Sequence, residues 1–296
     1  MYRAMRTLTA LFACSTSLLV LACGPEGRRP GGSGDGPDAG SSSTEDAFPI
    51  GPEICDDGYD NDQDGRADCG DVDCSGVGTC PVCGQVEVPE ATPLALPDGV
   101  EGATCTTDAD CASAEPNCVT ELSPPHCYPG YNSVLDFIGF PSGATLTDPN
   151  QLLKVCVNME HSWLRDLQIE LHTPDGREFV LHEFGGRTGG EVFLGNANDL
   201  DSSSNPVPGT GFDYCWTPTA PMTMLQTVNA NTSIDILPAG DYKSFAPWSS
   251  LAGTPLNGQW AIRVIDAWGI DNGFLFGWSI EFDPSLVVDC AGPIIQ

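Results

Sequence analysis

An aspartate-rich loop is the part of this sequence whose residue types and spacing most clearly suggest chemistry. The stretch CDDGYDNDQDGRADCGDVDC runs from Cys55 to Cys74 and holds eight aspartates and three cysteines. Counted from Asp60, aspartates stand at positions 1, 3, 5, 9 and 12, with glycine at position 6. This is the ligand spacing of a twelve-residue calcium loop, in which position 7 contributes a backbone carbonyl. The predicted ligands are Asp60, Asp62, Asp64, the carbonyl of Arg66, Asp68 and Asp71.

The donor atoms of this loop favour calcium as the cofactor. Carboxylate and carbonyl oxygens are hard ligands, which suit calcium and suit soft transition metals poorly. Without a cation the crowded carboxylates would repel one another, so we expect the order of the loop to depend on metal. The alternative is an ordinary solvated acidic run that binds nothing.

The flanks of the loop distinguish it from an EF-hand. Neither GPEICDDGY nor VDCSGVGTC can form a flanking helix, Asp71 stands where an EF-hand has glutamate, and Cys69 lies inside the loop. The segment instead resembles the Asp-rich, Cys-bounded calcium repeats of thrombospondin type 3 and similar metal-binding motifs of bacterial surface proteins. That resemblance implies that ions and disulfides replace a hydrophobic core.

The N-terminus predicts export and a lipid anchor. Arg3 and Arg6 precede the apolar stretch LTALFACSTSLLVLA, whose 15 residues are too few to span a bilayer comfortably. The tetrapeptide VLAC, ending at Cys23, resembles the lipobox of bacterial lipoproteins, which implies removal of residues 1–22 and a lipid on Cys23. Gly24 rather than aspartate follows, which favours the outer membrane or cell surface. An ordinary signal peptide is the alternative.

The cysteines predict disulfides. With Cys14 removed and Cys23 lipidated, twelve remain, and an even number in an exported chain indicates six bridges whose pairing stays open. Cys80 and Cys83 form a CxxC pair, so a zinc site is the alternative, although no second pair is suitably spaced. The twelve are Cys55, Cys69, Cys74, Cys80, Cys83, Cys105, Cys111, Cys118, Cys127, Cys156, Cys215 and Cys290.

Composition divides the rest of the chain. Residues 23–50 are rich in Gly, Ser and Pro and read as a flexible tether. The Asp/Cys-rich motif covers 51–84, and a second Cys-rich segment covers 85–130. From 131 to 290, period-two alternation between Gly, Pro and Asn clusters predicts an all-β antiparallel sandwich.

Two motif clusters in this β region resemble the P domain of kexin- and furin-type proprotein convertases. The first lies in VCVNMEHSWLRDLQIELHTPDGREFVL and the second in NGQWAIRVIDAWGIDNGFLFGWSIEF. The matching positions are His161, Asp166, Leu167, Pro174, Gly176, Gly258, Trp260, Asp266, Gly273 and Trp278. The resemblance implies a jelly-roll β-sandwich that is not itself catalytic. LALPDGVEG at Leu94 resembles the family's first strand, in which case the segment from Cys105 to Cys127 is an insertion.

The charge of the chain and its lack of catalytic motifs argue against two classes of function, nucleic-acid binding and catalysis. Acids outnumber bases 41 to 11, which disfavours nucleic acid and favours cations and basic partners. A triad of His161, Asp166 and one of the serines around Ser202 is not supported, because the first two match fold positions of the P domain and no serine sits in a Gly-x-Ser-x-Gly elbow. The sequence therefore predicts a protein that is not an enzyme.

The predicted function is that of a lipid-anchored, calcium-stabilised cell-surface protein. Its sandwich would bind an unidentified surface or extracellular ligand. The alternative function is an accessory partner or folding aid of a secreted subtilisin-like protease. Asp166 follows a strand at a turn, where hydrogen bonding is the simpler role and calcium ligation the alternative.

Overall fold

The strands form where the sequence alternates apolar and polar residues. The computed structural model describes residues 51–97, 99, 102–113, 116–120, 122–186, 188–198, 205–269, 271–291 and 294–295. The predicted signal peptide, the tether and Cys23 lie outside them. The strands are β1 Gln85–Ala95, β2 Asn117–Val119, β3 His126–Tyr128, β4 Tyr131–Phe137, β5 Leu152–His161, β6 Leu167–His172, β7 Glu178–His182, β8 Phe193–Leu194, β9 Phe212–Trp216, β10 Ile236–Leu237, β11 Gly240–Tyr242, β12 Gly258–Asp266 and β13 Gly273–Phe282.

The sandwich has a large and a small sheet. The large sheet runs β1-β13-β5-β8-β10, and β9 joins it by pairing with both β5 and β11. The small sheet runs β4-β12-β6-β7. The single α-helix of the described chain, α1, spans only Met224–Ala230. The all-β prediction is therefore confirmed, and the large sheet begins at Gln85, well before the predicted start of the sandwich at 131.

The core lies between the two sheets, where alternate residues of facing strands meet. Val157 of β5, Ile169 of β6 and Ile262 of β12 are fully buried in one cluster. Trp260 is 0% exposed and donates from Nε1 to the Leu256 carbonyl, at 3.0 Å. Trp278 is 3% exposed and donates from Nε1 to Ser133 Oγ, at 2.9 Å. Both tryptophans have the core positions that the alternation predicted, with their ring nitrogens satisfied.

The second Cys-rich segment carries its own two-stranded sheet, β2 paired with β3. Val119 and Tyr128 of this sheet pack with Ile265 and Ala267 in a small hydrophobic cluster. Ile265 alternates with the core residue Val264 on β12, so this segment covers the outer face of the small sheet.

All twelve predicted cysteines pair, and the six disulfides are Cys55–Cys74, Cys69–Cys80, Cys83–Cys290, Cys105–Cys118, Cys111–Cys127 and Cys156–Cys215. The zinc alternative for the CxxC pair is therefore wrong, because Cys80 and Cys83 belong to different bridges. Cys83–Cys290 ties the Asp/Cys-rich motif to the end of the sandwich across 207 residues of sequence.

In the part of the chain that the structure describes, no helix has both the length and the apolar character needed to cross a membrane.

Candidate metal centre

The aspartate-rich loop is shaped by disulfides and short helical turns. Cys55–Cys74 joins the segments on either side of the loop, and Cys69–Cys80 ties a residue inside the loop to the chain that follows it. Two 3-10 helices, Asp68–Gly70 and Val72–Cys74, follow one another across Asp71. Cysteine bridges and turns thus hold the acidic side chains where a hydrophobic core is lacking.

Local hydrogen bonds fold the loop around its aspartates. Asp60 accepts from the backbone N–H of Gln63 at 2.7 Å and of Gly65 at 3.0 Å. Gly65 has φ +103°, a conformation that glycine adopts without steric cost, as the turn at position 6 requires. Asp62 accepts from the N–H of Asp64 at 3.1 Å. These turns fix the carboxylates of Asp60 and Asp62 by hydrogen bonds within the loop.

Two overlapping groups of carboxylates result. Glu53, Asp60 and Asp62 each offer one oxygen within 4.8 Å of the others. Asp62, Asp71 and Asp73 form a second group with the same spacing. Asp62 belongs to both, so it is the centre of the acidic cluster. Either group could hold a metal ion.

Asp71 is the deepest member of the cluster. Its side chain is 0% exposed. Oδ1 accepts from the N–H of Asp73 at 2.7 Å, and Oδ2 has no hydrogen-bond partner among the described residues. A buried carboxylate without a partner is costly, and pairing or metal coordination is the usual compensation. The burial of Asp71 therefore distinguishes this cluster from an ordinary solvated acidic run.

Electrostatic crowding shows in the titration of Asp62. The hydrogen bond from the N–H of Asp64 lowers the pKa of Asp62, but partial desolvation and the carboxylates of Asp64, Asp71 and Glu53 outweigh it. The net effect raises the pKa above its ordinary value. The negative charge of the carboxylates around Asp62 thus exceeds what the hydrogen-bond donors of the protein neutralise.

The predicted ligands are only partly brought together. Asp60, Asp62 and Asp71 lie in the two groups, whereas Asp64 and Asp68 are in neither among the described residues. Asp64 accepts from the N–H of Arg66, and Asp68 accepts from the N–H of Gly58. The Arg66 side chain donates to the carbonyl of Val287 at 3.3 Å.

Glu53 and Asp73 were missed by the loop spacing. Asp73 lies two residues after Asp71, the same spacing as among Asp60, Asp62 and Asp64, so the sequence held a signal that could have identified it. Glu53 lies seven residues before the window, and its oxygens accept from the N–H of Asn61 at 2.8 Å and of Asp68 at 2.9 Å. Only the folded loop brings this glutamate to Asp60, so the linear spacing held no signal for it.

Comparisons with known proteins do not assign the chain to a family. No family model matches it. No curated protein matches it either.

Two solved structures share some similarity with the chain. The crystal structure of the serine protease of Aeromonas sobria is 14% identical with a TM-score of 0.28, covering 70% of this chain and 28% of that one. The complex of that protease with its chaperone gives 13% identity and a TM-score of 0.26, covering 68% and 27%. This chain spans less than a third of the length of either, and TM-scores this low do not establish a common fold.

The two motif clusters of the sandwich meet in space. His161, at the end of β5, is 0% exposed, and its Nε2 lies 3.4 Å from Asp266 Oδ2 at the end of β12. Its Nδ1 accepts from the N–H of Trp163. Gly273 lies so close that a Cβ would come 2.2 Å from the His161 ring. These residues form a buried contact between the ends of β5, β12 and β13, and the imidazole of His161 does not face solvent.

Asp166, the alternative calcium ligand, lies beside this contact in the 3-10 helix Leu164–Asp166. Its side chain is buried, and Oδ2 has no hydrogen-bond partner among the described residues. The pKa of Asp166 is raised to about 8, chiefly by burial and then by the nearby Asp266 carboxylate, with His161 opposing the rise. Asp166 is not part of a metal-binding group within the described chain.

Proposed function

We propose that this chain is a lipid-anchored, calcium-stabilised, non-catalytic cell-surface protein whose P-domain-like sandwich serves as a binding module. Calcium fixes the Asp/Cys-rich motif. The lipid on Cys23 holds the protein at the bacterial outer membrane or cell surface. The sandwich is presented outward on the tether of residues 23–50.

The observation that carries the calcium site is Asp71. Its carboxylate is fully buried, one oxygen lacks a partner, and it lies in a group with Asp62 and Asp73. A cation held by these oxygens satisfies Asp71 and relieves the repulsion felt by Asp62.

Calcium is the cation that this donor set favours. Glu53, Asp60, Asp62, Asp71 and Asp73 offer carboxylate oxygens only. Calcium accepts six to eight oxygens in irregular geometry, whereas magnesium requires near-octahedral geometry. Extracellular calcium modules bind in the range of about 0.1–1 mM.

Calorimetric titration of the oxidised Cys23→Ser protein with CaCl2 tests the site. We expect binding, and we expect Asp71→Asn to weaken it by at least about tenfold, or 1.4 kcal/mol. Asp56→Asn is the matched control, because Asp56 is an exposed acid of the same segment outside both groups. Equal calcium affinity in the Asp71 and Asp56 variants would refute the site.

The anchor rests on the lipobox and is tested separately. Cys23→Ser should move the protein from the membrane fraction to the soluble exported fraction. Cys14→Ser, within the signal peptide, is the control and should not change the distribution. Unchanged membrane partition of the Cys23 variant would contradict lipidation.

A second candidate function is partnership with a secreted protease. The motif residues that resemble a P domain meet at His161 and Asp266 in the folded chain, and P domains accompany proteases. Affinity capture of exported proteins on the immobilised Cys23→Ser protein tests this candidate. A copurifying subtilisin-type protease would favour it, whereas capture of a glycan or surface polymer would favour the binding module.

A further inference from the structure

A second group of potential ligands lies where the Cys-rich segment rests on the small sheet. Asp108, His172 and Glu178 each offer one donor atom within 4.8 Å of the others. None of the three belongs to the Asp-rich loop. The group includes an imidazole, so its chemistry differs from that of the all-oxygen cluster.

The fold places these three residues from separate elements. His172 ends β6 and Glu178 begins β7, and the two stand directly opposite each other in the antiparallel register. Cross-strand partners of this kind have Cβ atoms about 4.5–5.5 Å apart. Asp108 begins the 3-10 helix Asp108–Asp110 of the Cys-rich segment. Its Oδ1 accepts from the N–H of Cys118 at 2.8 Å, which fixes the carboxylate.

The His172 ring is oriented by a buried carboxylate outside the ligand group. Its Nε2 lies 2.7 Å from Glu170 Oε2, and the Glu170 side chain is only 4% exposed. Glu170 Oε1 in turn accepts from Gln168 Nε2 at 2.5 Å. Histidine ligands of metals are characteristically held this way, with one ring nitrogen bound to a carboxylate that is itself hydrogen-bonded. Nδ1 of His172 is then the nitrogen left for a ligand.

The charge around this group is unbalanced. Asp108, Glu170 and Glu178 bring three carboxylates together, while Arg263, which contacts Asp108 Oδ2, brings one permanent positive charge. A divalent cation would offset the remaining negative charge.

We propose that Asp108, His172 and Glu178 bind a borderline divalent cation of the zinc class, which pins the Cys-rich segment to the sandwich. Imidazole and carboxylate together suit Zn2+, and three protein ligands leave a position for water. Calcium is disfavoured because it takes six to eight oxygens. The site is independent of the calcium site proposed above.

Zinc titration of the oxidised full chain, with a chromogenic chelator as competitor and millimolar CaCl2 present, tests this site. We expect one tight zinc per chain. Glu178→Gln and His172→Gln should each weaken zinc binding at least about tenfold, because the loss of even an outer-shell partner of a metal ligand typically costs about 10–100-fold in affinity. Glu178 is exposed, so its variant should fold normally.

Two controls separate this site from other zinc-binding positions. His126→Gln alters a histidine of the same Cys-rich segment, whose Nδ1 lies 2.9 Å from the Gly102 carbonyl, outside the ligand group. Asp71→Asn disables the proposed calcium site. Neither should change zinc affinity. The proposal would be overturned if the Asp71 variant lost zinc binding, or if the Glu178 and His172 variants bound zinc as tightly as the parent chain. It would also be overturned if the parent chain bound no zinc.

Discussion

Two buried aspartates show how single residues acquire different roles from their neighbours. Asp71 is packed among Asp62 and Asp73 and retains an oxygen without a described partner, so a cation is its natural complement. Asp166 is buried beside Asp266 and His161, and its raised pKa means that a bound proton, rather than a cation, neutralises this carboxylate. The sequence motif around Asp166 marked the position, but only the burial reveals that its ionisation is suppressed.

The pH dependence of stability should reflect Asp166. Its pKa is raised to about 8 in the folded protein, above its ordinary value of 3.8, so folding takes up a proton between these pH values. Its contribution to stability is therefore complete at acidic pH and is lost as pH rises through about 8. The pKa of His161 is also raised: burial opposes the rise, but Asp266, Asp166 and Glu160 outweigh it, so its contribution has the same sign.

Replacing Asp166 tests this assignment. The unfolding free energy of the parent protein should fall by an amount on the order of 2–4 kcal/mol between pH 5 and 9 as Asp166 loses its proton. In Asp166→Asn this fall should be absent. Urea unfolding at each pH measures this effect. Asp175→Asn is the control, since that carboxylate lies in a surface ion pair with Arg177. A parallel pH profile for Asp166→Asn and the parent would count against the assignment.

The core tryptophans allow a second test at this scale. Trp260 is fully buried and lies edge-on to Phe282, with ring centroids 5.4 Å apart. Trp260→Ala should lower the unfolding free energy by about 3–5 kcal/mol through lost burial and a residual cavity. Urea denaturation measures it, with the partly exposed Trp163→Ala as the comparison. A loss below about 1 kcal/mol would show that Trp260 is not a core residue.

At the scale of elements, period-two alternation predicted the strands well. Alternate apolar residues of these strands, such as Val157, Ile169 and Ile262, lie in the core between the sheets, because burying one face of a strand forces alternation. Ile265 of β12 lies on the opposite face, under the Cys-rich segment. The pairing of the cysteines was not predictable, and only the end of β1, at Leu94, was indicated in advance, by its resemblance to the first strand of a P domain. β1 pairs with β13 nearly two hundred residues away, and Cys83 with Cys290 over a similar span, so both depend on tertiary contacts.

The Cys83–Cys290 bridge should matter for stability. It closes a very long loop, and in the chain-entropy account long loops gain most from a disulfide. The double variant Cys83→Ala/Cys290→Ala should lose about 2–5 kcal/mol of unfolding free energy. Denaturant unfolding measures the change. Removing both cysteines avoids a free thiol, and an unchanged unfolding midpoint would mean that native packing alone holds the motif.

For the whole molecule, the separation of a core-based sandwich from an ion-based motif has a testable consequence. The sandwich has an extensive apolar core. Of the described residues before β1, only Asn61, Asp71, Cys74, Cys80, Cys83 and Gly84 are buried. Chelation of calcium should therefore loosen the motif and leave the sandwich folded. Circular dichroism should retain its β signal in EGTA.

Trypsin provides a local readout of the same effect, because Arg66 is the one basic residue between 51 and 84. The Arg66 side chain donates to the Val287 carbonyl in the folded chain. With calcium bound, the ordered loop should resist cleavage. In EGTA we expect cleavage after Arg66 to accelerate at least about tenfold, since cleavage follows the population of the locally open form. The cut should appear only on reducing gels, because Cys55–Cys74 joins the two sides. Arg66→Gln should abolish the cut, and equal cleavage with and without calcium would show that the ion does not order this loop.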